Sequence, residues 1–234
     1  MTERTRSILR NLEAVREDLL GLSDELWKQV DHNDQDTLEE FLTAFKTPFN
    51  DSLRQFDQLT ERLSGLVQAY TQVPISDSQP AKEEGESEQS QRERSDRLIA
   101  ELNREQPHHI TEDFTWKRPH GFILGNEAVS DVVTWKRLYE RLCMLLARRN
   151  PELFNQLPDH PDHVTSRGNH WFARDAESLS VGSRITDTVF AETHASATGL
   201  ARQIVRLLET FAIDPDELKI FLRQDRDAGD REVD

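Results

Sequence analysis

Residues 131–150, DVVTWKRLYERLCMLLARRN, carry the pattern on which the fold turns. Val132, Trp135, Leu138, Leu142, Leu145 and Leu146 recur at three- and four-residue spacing, which brings them onto one stripe of an α-helix. Val133, Tyr139, Cys143 and Met144 widen that stripe, and Lys136, Arg137, Arg141, Arg148 and Arg149 fall on the opposite side. So broad an apolar stripe must be covered, and the neighbouring segments supply the cover.

On the N-terminal side, Phe114–Lys117 and Gly121–Leu124 read as short strands around Pro119. A short helix over 92–105 stops before Pro107. On the C-terminal side, Pro151–Leu157 reads as a helical piece with proline at its first position. HWFA (170–173) and VFAET (189–193) read as strands. A second amphipathic helix over 195–211 carries Leu200, Ile204, Leu207, Leu208 and Phe211, and LKIFL (218–222) closes as a last strand. Two main helices and four to five short strands predict a small α+β domain over residues 96–223, large enough for its own core, with a disordered tail at 224–234.

The N-terminal 72 residues read differently. Ile8, Leu12, Val15, Leu19, Leu22, Leu26 and Val30 alternate steps of four and three, the seam of a coiled coil. After a polar break at 31–36, Asp36 or Thr37 is placed to cap a second helix. Its seam runs through Leu38, Leu42, Phe45, Phe49, Leu53, Phe56, Leu59, Leu63, Leu66 and Tyr70, with Pro48 expected to kink or divide it. An antiparallel helical hairpin with one apolar stripe per helix encloses no core, so residues 1–72 must either pair with a second copy as a four-helix bundle or lie against the C-terminal part, and pairing as a homodimer is the expectation taken. Residues 73–95, rich in Pro, Ser, Glu and Gln, read as a disordered acidic linker.

Charge follows the same division. The 234-residue chain carries 29 Lys+Arg against 44 Asp+Glu, a net of -15. Residues 97–223 hold 16 basic against 18 acidic side chains, so the excess acid lies in the N-terminal region, the linker and the tail. The whole molecule is therefore not expected to attract nucleic acid or anionic membranes non-specifically. A single cysteine, Cys143, on the apolar stripe predicts a buried thiol in a reducing compartment. No apolar run approaches the length of a membrane span and the N-terminus lacks a signal-peptide core, which together predict a soluble cytoplasmic protein.

Several stretches of the C-terminal half together resemble an uncharacterised prokaryotic module carried at the C-terminus of longer chains. They are WKRPHGF at Trp116–Phe122, the helix opening at Trp135, the Trp171–Phe172 pair, ETHASATGL from Glu192 to Leu200, and the closing LKIFL. The resemblance spans about residues 114–223, roughly half of the chain. It implies a portable α+β domain and brings neither an established activity nor a catalytic residue.

Chemistry-bearing motifs are mostly absent: the chain has no GxxxxGK[ST], GxGxxG, GxSxG, HExxH or CxxC. Asp159-His160-Pro161-Asp162-His163, with His170 and His194 further on, has metal-ligating residue types, but Pro158 and Pro161, two prolines in four residues, oppose regular ligand geometry, and solvated side chains account for it better. His108–His109 reads as an exposed turn. Glu192, Thr193, His194 and Ser196 could form an acid–base cluster, but a helix cap explains them with less. Of Trp116, Trp135 and Trp171, core packing is the simpler reading over stacking on a ligand. No metal, cofactor or catalytic residue is expected.

The candidate binding residues are Lys117, Arg118, Arg137, Arg141 and Arg148: three on one helix face and two leaving the neighbouring strand, where phosphates or an acidic partner could meet them. Pairing with Glu127, Asp131 and Glu140 would instead make this an ordinary solvated face. The first functional expectation is a non-enzymatic adaptor that self-associates through its N-terminal helices and binds a protein partner through its α+β module. A nucleic-acid-binding protein using the basic face is second, and a hydrolytic enzyme third.

Overall fold

The computed structural model describes residues 2–71, 88–165 and 168–224, which belong to two compact units, 1–77 and 78–234. The fold is mixed α+β, with seven α-helices and two small antiparallel sheets among the described residues. Most of the expected linker, residues 73–87, and the tail from 225 lie outside the described residues.

The first unit consists of α1 (Thr2–Gln29), α2 (Gln35–Glu40), a π-helical segment (Phe41–Lys46) and α3 (Thr47–Thr71). Asp34, rather than Asp36 or Thr37, caps α2. Its carboxylate accepts the Asp36 amide at 3.1 Å and the Thr37 hydroxyl at 2.6 Å, so the cap begins one turn of polar chain earlier than the apolar pattern suggests. Pro48 does not divide the second helix, whose backbone is helical without a gap from Gln35 to Thr71. Just before it the helix widens to the π form, in which the Thr47 amide and hydroxyl both reach back to the Leu42 carbonyl. The wider turn makes room for a pyrrolidine ring that would clash with the carbonyl four residues back in a regular α-helix.

Trp27 packs on Phe41 with ring centroids 5.8 Å apart, and Arg16 donates to the Asp57 carboxylate. Contact numbers fall on one helix as they rise on the other, so α1 and α3 run antiparallel. The buried line on α1 is Leu9, Arg16, Leu20 and Ser23, with Leu53 and Asp57 on α3. This differs from the expected seam, of which Ile8, Val15, Leu22, Leu59, Leu63, Leu66 and Tyr70 remain exposed. The buried Arg16–Asp57 pair sets the rotation: it satisfies both charges between the helices and turns the residues one position earlier outwards.

The second unit opens with α4 (Glu88–Leu102), so residues 88–95 are helical and not linker. The short helix expected over 92–105 is part of it, and the observed helix starts four residues earlier and ends at Leu102. It is held by tertiary contacts: Leu102 and Ile99 pack on Ile123 and Phe221, and the Ser95 hydroxyl donates to the Asn126 carbonyl at 2.9 Å. The main sheet has the order β1-β7-β2-β3, with β1 (His108–His109), β2 (Pro119–Leu124), β3 (Glu127–Ser130) and β7 (Leu218–Leu222) all antiparallel. Phe122, Leu124, Ile220 and Leu222 point to one face and Ile123 and Phe221 to the other, as the two-residue period of a strand requires. α4 covers the second face, which is why all of β2 is buried. Gly121 is required here, because a Cβ would sit 2.8 Å from the Val129 carbonyl and 3.2 Å from a Leu102 methyl.

The first face packs on α5 (Trp135–Arg149) and α7 (Ala197–Thr210), with α6 (Pro151–Gln156) beside them. The central helix starts four residues later than its periodicity allows, since Thr134 caps it by accepting the Arg137 amide and Asp131 has φ 59. Phe114–Lys117 is a turn, not a strand: the Lys117 amide bonds to the Phe114 carbonyl at 3.0 Å, and the Phe114 ring packs on Trp135 at 4.4 Å. A second sheet, of order β4-β6-β5, joins β4 (Phe172–Ala173), β5 (Gly182–Arg184) and β6 (Phe190–Glu192). β1, β3 and β5 were not expected, and among the described residues seven short strands stand where four to five were read.

Candidate interaction face

Arg137, Arg141 and Arg148 follow one line along α5, with about 16 Å of rise between the first and the last. Lys117 and Arg118 join this line only at its N-terminal end, where the Trp135 indole donates to the Lys117 carbonyl at 2.9 Å. The structure thus brings Lys117, Arg118 and Arg137 to one end of the helix and leaves Arg148 at the other.

Much of the charge is paired locally. Arg137 bonds to Glu140 at 3.1 Å and Lys136 lies 4.0 Å from the same carboxylate, while Arg148 and Arg149 meet Glu127 at 3.3 and 2.9 Å. Glu140 is buried, and its other oxygen accepts the Ser183 hydroxyl at 2.7 Å. Burial alone would raise the Glu140 pKa, but Lys136, Arg137 and Ser183 outweigh it and hold the carboxyl below its ordinary range.

Trp116 stands beside this end of the helix. It is one of three non-glycine residues at positive φ among the described residues, at 65°, and its side is 48% exposed. The Gln224 amide bonds to its carbonyl at 3.1 Å and helps to hold this unfavourable backbone in place. Of the three tryptophans weighed as core, Trp135 is fully buried, Trp171 is half-buried and Trp116 is displayed.

The remaining chemistry-bearing residues are used internally. Glu192 accepts three backbone amides, from Ser180, Val181 and His194, and so fastens the β5 edge. The Thr193 hydroxyl donates to the Val181 carbonyl, and Ser196 caps α7 by accepting the Gly199 amide. Burial lifts the Cys143 thiol far above the ordinary thiol range, which removes it as a nucleophile at neutral pH. His108 and His109 are part of β1 and bond to Glu112 and Asp216 at 2.8 and 2.7 Å, in place of the exposed turn expected. Among the described residues no three metal-ligating side chains converge.

The Asp159–His163 run is not uniformly solvated, because His163 is buried against α7. The Thr210 hydroxyl donates to the Arg206 carbonyl, so it accepts from His163 Nε2 at 3.0 Å, and His163 Nδ1 in turn accepts the Gln203 amide at 2.8 Å. This network selects one neutral tautomer. Burial first, then the positive field of His160 and Arg206, lowers the His163 pKa to about 4. Above about pH 6.5 the ring is neutral folded and unfolded; as pH falls towards 4 the unfolded chain takes up a proton that the folded one refuses, and stability is lost. Thermal melts should show the wild type losing on the order of 2–3 kcal/mol across that window relative to His163→Gln. Identical pH slopes for the two proteins would show that His163 has no such role.

No family model, curated protein or solved structure matches this chain. No helix among the described residues is long and apolar enough to cross a membrane.

Proposed function

We propose that the protein is a non-enzymatic adaptor, located in the cytoplasm, that self-associates through its N-terminal helices as a coiled-coil dimer and displays the α+β unit as a portable binding module for a protein partner. The observation that carries this reading is the row of large apolar side chains exposed on the helix pair, from Ile8 to Leu22 on α1 and from Leu59 to Tyr70 on α3. Contiguous exposed apolar residues of this kind mark association surfaces. The internal use of Cys143, Glu192 and His163 as structural groups supports the non-enzymatic part. Sedimentation equilibrium of the full chain tests it, with a dimer expected at micromolar concentration and a monomer throughout overturning it.

A second reading is favoured by Trp116, whose displayed indole is followed in sequence by Lys117 and Arg118. An exposed ring next to two cations suits stacking on a base with phosphate contacts beside it. If nucleic acid binds here, Arg137→Ala with Arg141→Ala should flatten the slope of log affinity against log salt by somewhat less than about two units, and Trp116→Ala should weaken single-strand binding by about 1–3 kcal/mol. Fluorescence anisotropy showing no binding at low salt, or a slope unchanged by the substitutions, would dismiss this reading in favour of the adaptor.

A further inference from the structure

We infer that two copies pair through one flat apolar side of the helix pair, with like ends together, so that α1 of each copy lies against α3 of the other. This rests on the adaptor reading and specifies its interface.

The two exposed lines lie on the same side of the pair. On α1, Ile8, Val15 and Leu22 each stand one residue ahead of the buried Leu9, Arg16 and Ser23, an offset of roughly 100°. On α3, Leu59, Leu63, Leu66 and Tyr70 continue a line that starts at Phe56, one residue ahead of the buried Asp57. The offset has the same sense on both helices. Because the helices run in opposite directions, equal offsets turn both lines to one side, and the pair presents a single face.

That face is uncharged along both lines and of the right size. With Ile8 54%, Leu66 68% and Tyr70 88% exposed, the seven side chains leave on the order of 800 Å² uncovered, the contribution of one partner to a standard interface. A second copy of the same face is its natural complement: it offers two more apolar lines at the same spacing and needs no charge to be buried.

Arg16 pairs with Asp57, so residues whose numbers sum to about 73 stand level along the pair. Ile8 is then level with Leu66, and Val15 with Leu59. On α3 the line occupies the C-terminal half of the helix, and along α1 exposure falls from Ile8 54% to Leu22 36%, so the exposed apolar surface is greatest towards the end where α1 begins and α3 finishes. A two-fold axis parallel to the helices superposes these rich ends and sets Ile8 against Leu66 of the second copy and Val15 against Leu59 of the second copy, with every neighbouring helix antiparallel. An axis across the helices would lay the rich end of one copy against the tip of the other and leave Tyr70 uncovered. In the favoured arrangement both chains leave α3 at the same end of the bundle.

The test uses the full chain. Sedimentation equilibrium should give twice the 27.1 kDa chain mass. Val15→Asp and Leu63→Asp should each raise the dimer dissociation constant at least about 100-fold, since each places an unpaired charge in the face. Cross-linking then decides the orientation independently of those variants. Differently tagged chains carrying single substitutions are mixed and treated with a short bismaleimide, against which the buried Cys143 is silent. Ile8→Cys with Leu66→Cys, and Val15→Cys with Leu59→Cys, should cross-link between chains at least 10-fold more than Ile8→Cys with Leu22→Cys. A dimer that instead links position 8 to position 22 overturns the like-ends arrangement and leaves the adaptor reading standing. A monomer at all concentrations, or a dimer indifferent to both aspartates, overturns the two together.

Discussion

Replacing Trp135 by alanine is expected to lower the stability of the second unit by about 3–5 kcal/mol, the largest effect of any single truncation in the chain. Trp135 is fully buried where β2, the 114–118 turn and the start of α5 meet. Its ring packs on Phe114 at 4.4 Å and its indole donates to the Lys117 carbonyl at 2.9 Å. Truncation therefore opens a cavity and strands a carbonyl at once, and a domain whose whole stability is about 5–15 kcal/mol has little margin for both. Urea unfolding followed by far-UV circular dichroism measures the loss. Trp135→Phe keeps most of the volume and gives up the hydrogen bond, so it should cost about 1 kcal/mol. Equal losses for the two variants would place the energy in the indole N–H and not in packing.

The second large effect is expected at Glu140. Glu140→Ala should destabilise the unit by about 3 kcal/mol at pH 7, because it removes the carboxylate that Arg137, Lys136 and Ser183 share and leaves the two cations facing a half-buried gap. The folded pKa of Glu140 lies below its unfolded value. Its stabilising contribution is therefore present above the unfolded pKa of about 4.3 and disappears as pH falls through the folded one. The gap between wild type and variant should be full at neutral pH and narrow in acid. A gap that does not change with pH would mean that the loss comes from the methylenes and not from the charge.

Both predictions fall on α5, whose apolar stripe was legible because a buried amphipathic helix writes its period directly into the sequence. The same holds for α7 and for LKIFL in β7. β3 was less legible: EAVS is half-buried and polar at both ends, and its only local signal was the Gly125–Asn126 pair that closes a two-residue hairpin from β2. α4 was legible only from residue 92 on, because the residues that pack on the sheet, Ile99 and Leu102, lie there, while 88–94 contains no apolar side chain. The candidate cations were identifiable by type and spacing, and two of the acids read as their partners, Glu127 and Glu140, are the ones that Arg148 and Arg137 meet; the burial of Glu140 and its bond to Ser183, 43 residues away, were not, because that contact forms only across the fold.

By itself, then, the sequence determined the division into a helical N-terminal region and an α+β C-terminal one, the central helix with its basic side, and the absence of motifs for nucleotide or metal chemistry. These follow from composition and from periods repeated within one element. The rotation of α1 against α3, the neutral burial of His163, the display of Trp116 and the sharing of Glu140 were decided only in the tertiary structure. Each depends on a contact between residues 15 or more positions apart, and a buried charge, ring or hydroxyl takes whatever partner the packing brings to it.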